Sequence, residues 1–277
     1  MSDKRVLSIQ DISCFGQCSL TVALPVVSAC GVETAVLPSA VLSTHTSGFK
    51  GYTCLDLTDE MKKILAHWET QKIFFDEIYT GYLATAEQID IVKTAFKTRL
   101  ASGGRKIVDP VMGDYGKLYP AFDLSFVAAM KELCREADVI LPNLTEACLL
   151  TGAKYKDNYD EKYIDGLLLK LIKLGAKTIV LTGVGYDGGT TGVVTYDGRE
   201  KFYYRHLKVN RSCHGTGDLF ASVFSGALAC GRTEREAAKI AADFVVDCIK
   251  NTPDDGTHAY GVRFEELLFK LHEKLSI

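Results

Sequence analysis

The sequence predicts an α/β protein whose mostly parallel sheet is covered by helices on both faces. Two observations carry that prediction. Up to residue 183, short runs rich in Val, Ile and Thr alternate with longer amphipathic stretches, the strand–helix rhythm of a parallel sheet. After residue 183 the rhythm gives way to one antiparallel pattern and three closing helical patterns.

The elements follow in order. "RVLSI" at 5–9, "TAVLPS" at 34–39, "FDEIYTG" at 75–81, "RKIVDP" at 105–110, "DVILPN" at 138–143 and "KTIVLTG" at 177–183 read as strands. They are short, apolar and β-branched, and several end on Gly, Pro or Asn. Helical patterns lie between them at about 18–30, 58–68, 85–102, 123–136, 144–152 and 159–174. "TTGVVTYDGREKFYYRHLKV" then reads as two antiparallel strands around the turn Asp197-Gly198. Helices at about 216–230, 233–250 and 263–275 close the chain. No repeat, low-complexity tract or linker interrupts residues 1–277, which predicts one domain.

Composition narrows the function classes. A chain of 277 residues with 47% hydrophobic content can bury a large core. With 32 basic and 35 acidic residues the net charge is −3, and neither sign forms the long run that marks a nucleic-acid or membrane surface. A small-molecule partner is expected instead. The nine cysteines are odd in number and scattered, and Cys14 and Cys18 lack redox or zinc spacing, which predicts free thiols and a cytoplasmic protein. "MSDKRVLSIQ" opens a strand pattern rather than a secretion signal, and no apolar stretch is long enough to span a membrane.

The strongest chemical signal is "HGTGD" at 214–218, followed directly by the apolar helix "LFASVFSGALAC". Glycines before a helix expose amides at the positive end of its dipole, where an anion such as phosphate is favoured. Asp218 at the same point is either a first-turn acid or a group that takes the proton of an attacking hydroxyl. "DPVMGDYGKLY" at 109–119 leaves a strand end with two acids, Asp109 and Asp114, read either as solvated turn acids or as Mg²⁺ holders. "LPNLTEA" at 141–147 opens a helix with Asn143 and Glu146, either a cap or a third acid at adjacent strand ends. His45 in "STHTSGF" and Tyr82 in "GYLATAEQ" either line a pocket for a flat ring or pack at the core edge. "GVGYDG" at 183–188 has the dinucleotide-type glycine spacing but leads into a strand, so no helix N-terminus receives a pyrophosphate there. No phosphate-binding P-loop, hydrolase triad or zinc-ligand set is visible.

Taken together, "SIQDIS", "STHTSGF", "GYLATAEQ", "DPVMGD", "PNLTEA" and "GTGD" run nearly end to end in the order of a known group. The chain resembles the ribokinase-like superfamily and, within it, the pyridoxal (vitamin B6) kinases. The resemblance implies a three-layer α/β/α sandwich with a central mainly parallel sheet and no separate lid domain. It implies ATP- and Mg²⁺-dependent phosphorylation of the 5′-hydroxymethyl group of pyridoxal, pyridoxine or pyridoxamine, a K⁺-type monovalent cation as a further candidate cofactor, and a homodimer.

By motif, Asp218 resembles the catalytic base, with Gly215, Thr216 and Gly217 stabilising the transferred group. Asp109, Asp114 and Glu146 are the implied metal and phosphate acids. Asn143, Thr182, Gly183 and the stretch His206, Leu207, Lys208 and Val209 are the implied nucleotide contacts. His45, Thr46, Ser47 and Tyr82 fall where the family holds the pyridine ring. The family commonly reads Gln-Ser-His after the first strand, whereas this chain reads Gln10-Asp11-Ile12, which directs Asp11 toward the phenol, the ring nitrogen or an amine-bearing vitamer. Hydroxymethylpyrimidine kinases are the nearest alternative, and their frequent G-x-G-C differs from "GTGD" here. A vitamer-binding protein without turnover is the non-enzymatic alternative.

Overall fold

Strand β1 (Arg5–Ser13), helix α1 (Leu20–Ala29), β2 (Glu33–Leu42), an edge strand β3 (Cys54–Asp56), α2 (Thr58–Thr70), β4 (Phe75–Thr80), α3 (Ala86–Thr98) and β5 (Leu100–Val108) form the first part of the chain. A small hairpin β6 (Gly113–Asp114) and β7 (Lys117–Leu118) leads to α4 (Leu124–Glu136), β8 (Val139–Ile140), α5 (Leu144–Thr151), α6 (Glu161–Leu174) and β9 (Thr178–Val184). Then come β10 (Thr190–Tyr196), β11 (Lys201–Leu207), α7 (Thr216–Ala229), α8 (Glu234–Asn251), a 3-10 turn at Glu265–Leu267 and α9 (Leu268–Leu275). The computed structural model describes residues 4–211 and 213–275.

Nine strands form one sheet in the order β11-β10-β9-β8-β5-β4-β1-β2-β3. Pairing is parallel from β9 through to β2, and antiparallel at the edges formed by β3, β10 and β11. Because side chains alternate across a strand, neighbouring residues enter opposite cores. Leu7, Ile78, Val108, Ile140 and Ile179 pack with α2 to α6 on one face. Val6, Tyr79, Ile107, Val139 and Val180 pack with α1, α7, α8 and α9 on the other. The expected mainly parallel sheet between two helical layers is therefore present. Among the described residues no helix is long and apolar enough to cross a membrane.

Several boundaries depart from the sequence reading. The helix expected to reach residue 102 ends at Thr98, and "LASGG" begins β5 instead. Its two glycines favour leaving a helix, and Gly103 takes φ 76, outside the helical region. The strand expected over 138–143 shrinks to Val139–Ile140, since Pro142 has no amide to donate to a ladder. The closing helix expected from 263 starts as a 3-10 turn and becomes α-helical only at Leu268. The β6–β7 hairpin was not anticipated. Its turn residues Tyr115 and Gly116 sit at φ 50 and 74, the left-handed pair of a tight hairpin turn. "GVGYDG" ends β9 and turns into antiparallel β10, in line with the rejected dinucleotide reading.

Candidate active site

Parallel strands deliver their carboxyl ends to one edge of the sheet, where ligands gather in such folds. Four carboxylates meet there: Asp11 on β1, Asp109 just past β5, Glu146 in the first turn of α5 and Asp218 in the first turn of α7. No lysine or arginine is paired with any of them among the described residues.

Asp218 is set by the local backbone of "HGTGD". Gly215, the cap of α7, adopts φ 75, and a Cβ there would stand 1.7 Å from the Gln17 carbonyl oxygen, so only glycine fits. A Cβ on Gly217 would meet nothing within 4 Å, which leaves open space over the helix N-terminus. The first helical bond runs from Leu219 N–H to Gly215 O at 2.9 Å, so the amides of Thr216, Gly217 and Asp218 precede the ladder and remain available to an anion. Burial and the Asp11 charge push the Asp218 carboxyl up to about 7, against the opposing pull of the Ser19 amide and the Cys18 thiol.

Glu146 fulfils the cap reading and stays among the acids. It forms a capping box with Asn143: Asn143 Oδ1 accepts the Glu146 amide at 2.9 Å, and Glu146 Oε2 accepts the Asn143 amide at 2.9 Å. Its other oxygen accepts the Met112 amide at 3.2 Å, while Asn143 Nδ2 donates to Gly113 O at 2.9 Å. The start of α5 thus clamps the "DPVMGD" loop. Burial pushes Glu146 up, and burial together with the charges of Glu146 and Asp218 pushes Asp109 well above the usual carboxylate range.

A divalent cation would relieve this uncompensated charge, and carboxylate oxygens are the donors Mg²⁺ prefers. The expected three-acid cage is not assembled, however. Among the described residues no three His, Cys, Asp or Glu side chains stand close enough to hold a metal. Asp114 lies exposed on the β6–β7 hairpin, where its Oδ1 accepts the Tyr115 amide at 2.8 Å. The residues fit a Mg²⁺ held by Asp109, with Glu146 beside it, and completed by water and phosphate oxygens.

The ring-side residues also sort differently from expectation. His45 is buried and both its ring nitrogens are engaged: Nε2 donates to Tyr260 O at 2.9 Å, and Nδ1 accepts the Ser47 amide at 3.2 Å. These partners fix the neutral Nε2–H tautomer, so His45 offers a ligand its ring and not its nitrogens. Phe49 stands 4.9 Å and His214 5.4 Å from that ring, centroid to centroid. Thr46 and Ser47 are exposed beside it. Tyr82 is half-buried 5.5 Å from the Phe122 ring, and burial followed by the Asp11 charge pushes its phenol up to about 12. Asp11, expected to face a ring substituent, is 3% exposed and accepts two serine hydroxyls.

Thr182 bridges to Asn143 across the ends of β9 and β8, and Gly183 follows at φ 71. His206 and Leu207 end β11, the Lys208 amide donates to Gly189 O at 2.9 Å, and Leu207, 76% exposed, projects outward beside half-buried Val209. Sequence reasoning missed Gln17, Cys18, Ser19, His214 and Tyr260. The signal for Gln17–Ser19 was a glycine-bearing link, "CFGQCS", between the first strand and first helix at the sheet's carboxyl edge, and His214 stands at the head of "HGTGD".

A buried carboxyl at a helix N-terminus with free amides, beside further buried acids at the carboxyl edge of a parallel sheet, is an arrangement suited to phosphoryl transfer on small molecules. The chain belongs to the phosphomethylpyrimidine kinase family, whose model matches residues 22–263. It is 32% identical to the hydroxymethylpyrimidine/phosphomethylpyrimidine kinase of Bacillus subtilis over 77% of this chain and 77% of that protein. It is similar to the crystal structure of pyridoxal kinase from Lactobacillus plantarum, with TM-score 0.89, 33% identity and coverage of 99% of this chain and 98% of that one. It is also similar to a Bacteroides thetaiotaomicron protein described as a phosphomethylpyrimidine kinase and crystallised with pyridoxal, with TM-score 0.90, 35% identity and coverage of 100% and 96%.

Proposed function

We propose that this kinase transfers a phosphoryl group from ATP to the 5′-hydroxymethyl group of a vitamin B6 vitamer, supplying pyridoxal 5′-phosphate by salvage. One observation carries the reading: Asp218, with its carboxyl near neutrality, stands in the same helical turn as amides open to an anion. Ionised Asp218 accepts the hydroxymethyl proton as the oxygen attacks. The amides of Thr216 and Gly217 donate to the transferring phosphoryl oxygens, with Gly215 setting their direction. By the resemblance, Tyr82 and the His45 ring bound the acceptor side in this reading, and Asn143, Thr182, Gly183 and 206–209 bound the nucleotide side. Mg²⁺, when bound, neutralises phosphate charge, and Asp109 with Glu146 would hold it.

A second reading, phosphorylation of hydroxymethylpyrimidine, is supported by the Bacillus relative and the family model. The Lactobacillus pyridoxal kinase and the pyridoxal held by the Bacteroides phosphomethylpyrimidine kinase support the vitamer. Coupled ADP-release assays over pyridoxal, pyridoxine, pyridoxamine and hydroxymethylpyrimidine decide between them. The expected result is turnover with at least one vitamer. Activity on the pyrimidine alone, or vitamer binding without ADP release, would overturn the proposal. A homodimer in the cytoplasm completes the reading by resemblance, and sedimentation of the full chain tests the assembly.

A further inference from the structure

Asp11 is the position where this chain departs from the family's usual serine, and its surroundings give it a different task from ring recognition. Its Oδ1 accepts the Ser19 hydroxyl at 2.5 Å and its Oδ2 accepts the Ser13 hydroxyl at 3.0 Å. Ser19 caps α1 without a side-chain capping bond, since its hydroxyl is turned to Asp11. It also holds φ 56, a left-handed conformation that a residue with a side chain keeps only when its surroundings enforce it. A bridge pairs it with Ile12, tying the turn back to β1.

That turn abuts the base. The Gln17 carbonyl and the Cys18 sulfur would lie 1.7 and 3.6 Å from a Cβ on Gly215, and the Ser19 amide and Cys18 thiol both face the Asp218 carboxylate. The contacts therefore run in one line, from Asp11 through Ser19 to Asp218. We propose that Asp11 is a positioning residue for Asp218, holding the Gln17–Ser19 turn against the base instead of contacting the acceptor molecule. The proposal rests on Asp218 serving as the base. The titratable groups facing Asp218 are Asp11 from β1, Cys18 from the turn, Tyr79 from β4, Asp109 after β5 and Tyr119 after β7. Asp11 is the strongest charge among those acting on it.

Two variants of the full chain test this. Asp11→Ser removes both acceptor oxygens, whereas Asp11→Asn keeps one for Ser19 and removes only the charge. With the acceptor that turns over, Asp11→Ser should lose about tenfold or more in kcat while its acceptor KM stays within about threefold, and Asp11→Asn should restore most of kcat. A tenfold rise in acceptor KM with kcat retained would overturn the proposal in favour of a ring contact. A second readout needs no acceptor and so stands apart from the substrate assignment. In Mg²⁺-free protein labelled with ¹³C-carboxyl aspartate, the Asp218 resonance is assigned by its loss in Asp218→Asn. Its midpoint should fall in Asp11→Asn relative to the parent chain, because a neighbouring negative charge has gone. An unchanged midpoint would overturn the proposal.

Discussion

In the proposed role of base, Asp218 must be ionised to accept a proton, and its carboxyl is pushed up to about 7, so kcat/KM should fall as the pH drops through that value. A pH–rate profile checks this, and an acid limb near 4 would contradict it. Glu77 carries a similar perturbation with no part in the chemistry. Buried on β4 at 2% exposure, it accepts the Ser225 hydroxyl from α7, and burial pushes it up to about 7 although Arg105 stands 3.9 Å away. A carboxyl raised in the folded state contributes stability that is full below its unfolded value and is lost as pH rises toward its folded one. Glu77→Gln should therefore stabilise the protein at pH 8 by about 1–3 kcal/mol and change little at pH 4, as read by urea unfolding.

The two glycines of "GTG" separate folding from catalysis within a single turn. Gly215→Ala places a methyl group against the Gln17 carbonyl at positive φ, and should cost at least about 1–2 kcal/mol of stability along with activity. Gly217→Ala meets no atom of the chain, so the fold should hold while the added methyl crowds the anion site and lowers kcat. Equal losses of thermal stability in both variants would contradict this division. Sequence pattern located both glycines and the helix behind them, because apolar composition and glycine spacing are local signals. The β6–β7 hairpin escaped because its two-residue strands carry no periodicity, and its turn uses Tyr115 rather than the usual Asn. The regular strand β8 is shorter than its apolar run because Pro142 offers no amide, although Leu141 still donates to Val108 O at 2.9 Å and Pro142 O accepts the Thr182 amide at 3.0 Å.

Across the whole molecule, strand order lays the site out as a track. The proposed ring-side residues His45 and Tyr82 follow β2 and β4, the buried acids stand by β1, β5, β8 and the start of α7, and the implied nucleotide contacts follow β8, β9 and β11. The acids and the glycine turn were legible because each follows a recognisable strand. The Gln17–Ser19 turn and Tyr260 were not, because their roles come from contacts between segments as far apart as His45 and Tyr260. Mutual repulsion and burial of Asp109 and Glu146 cost the metal-free fold more as the pH rises, so Mg²⁺ should raise the Tm more at pH 8 than at pH 6. The most direct test of the whole account is the turnover of Asp218→Asn with ATP and pyridoxal, measured beside pyridoxal binding. A loss of at least about 10²-fold in kcat with binding retained is the predicted result, and near-normal turnover would contradict it.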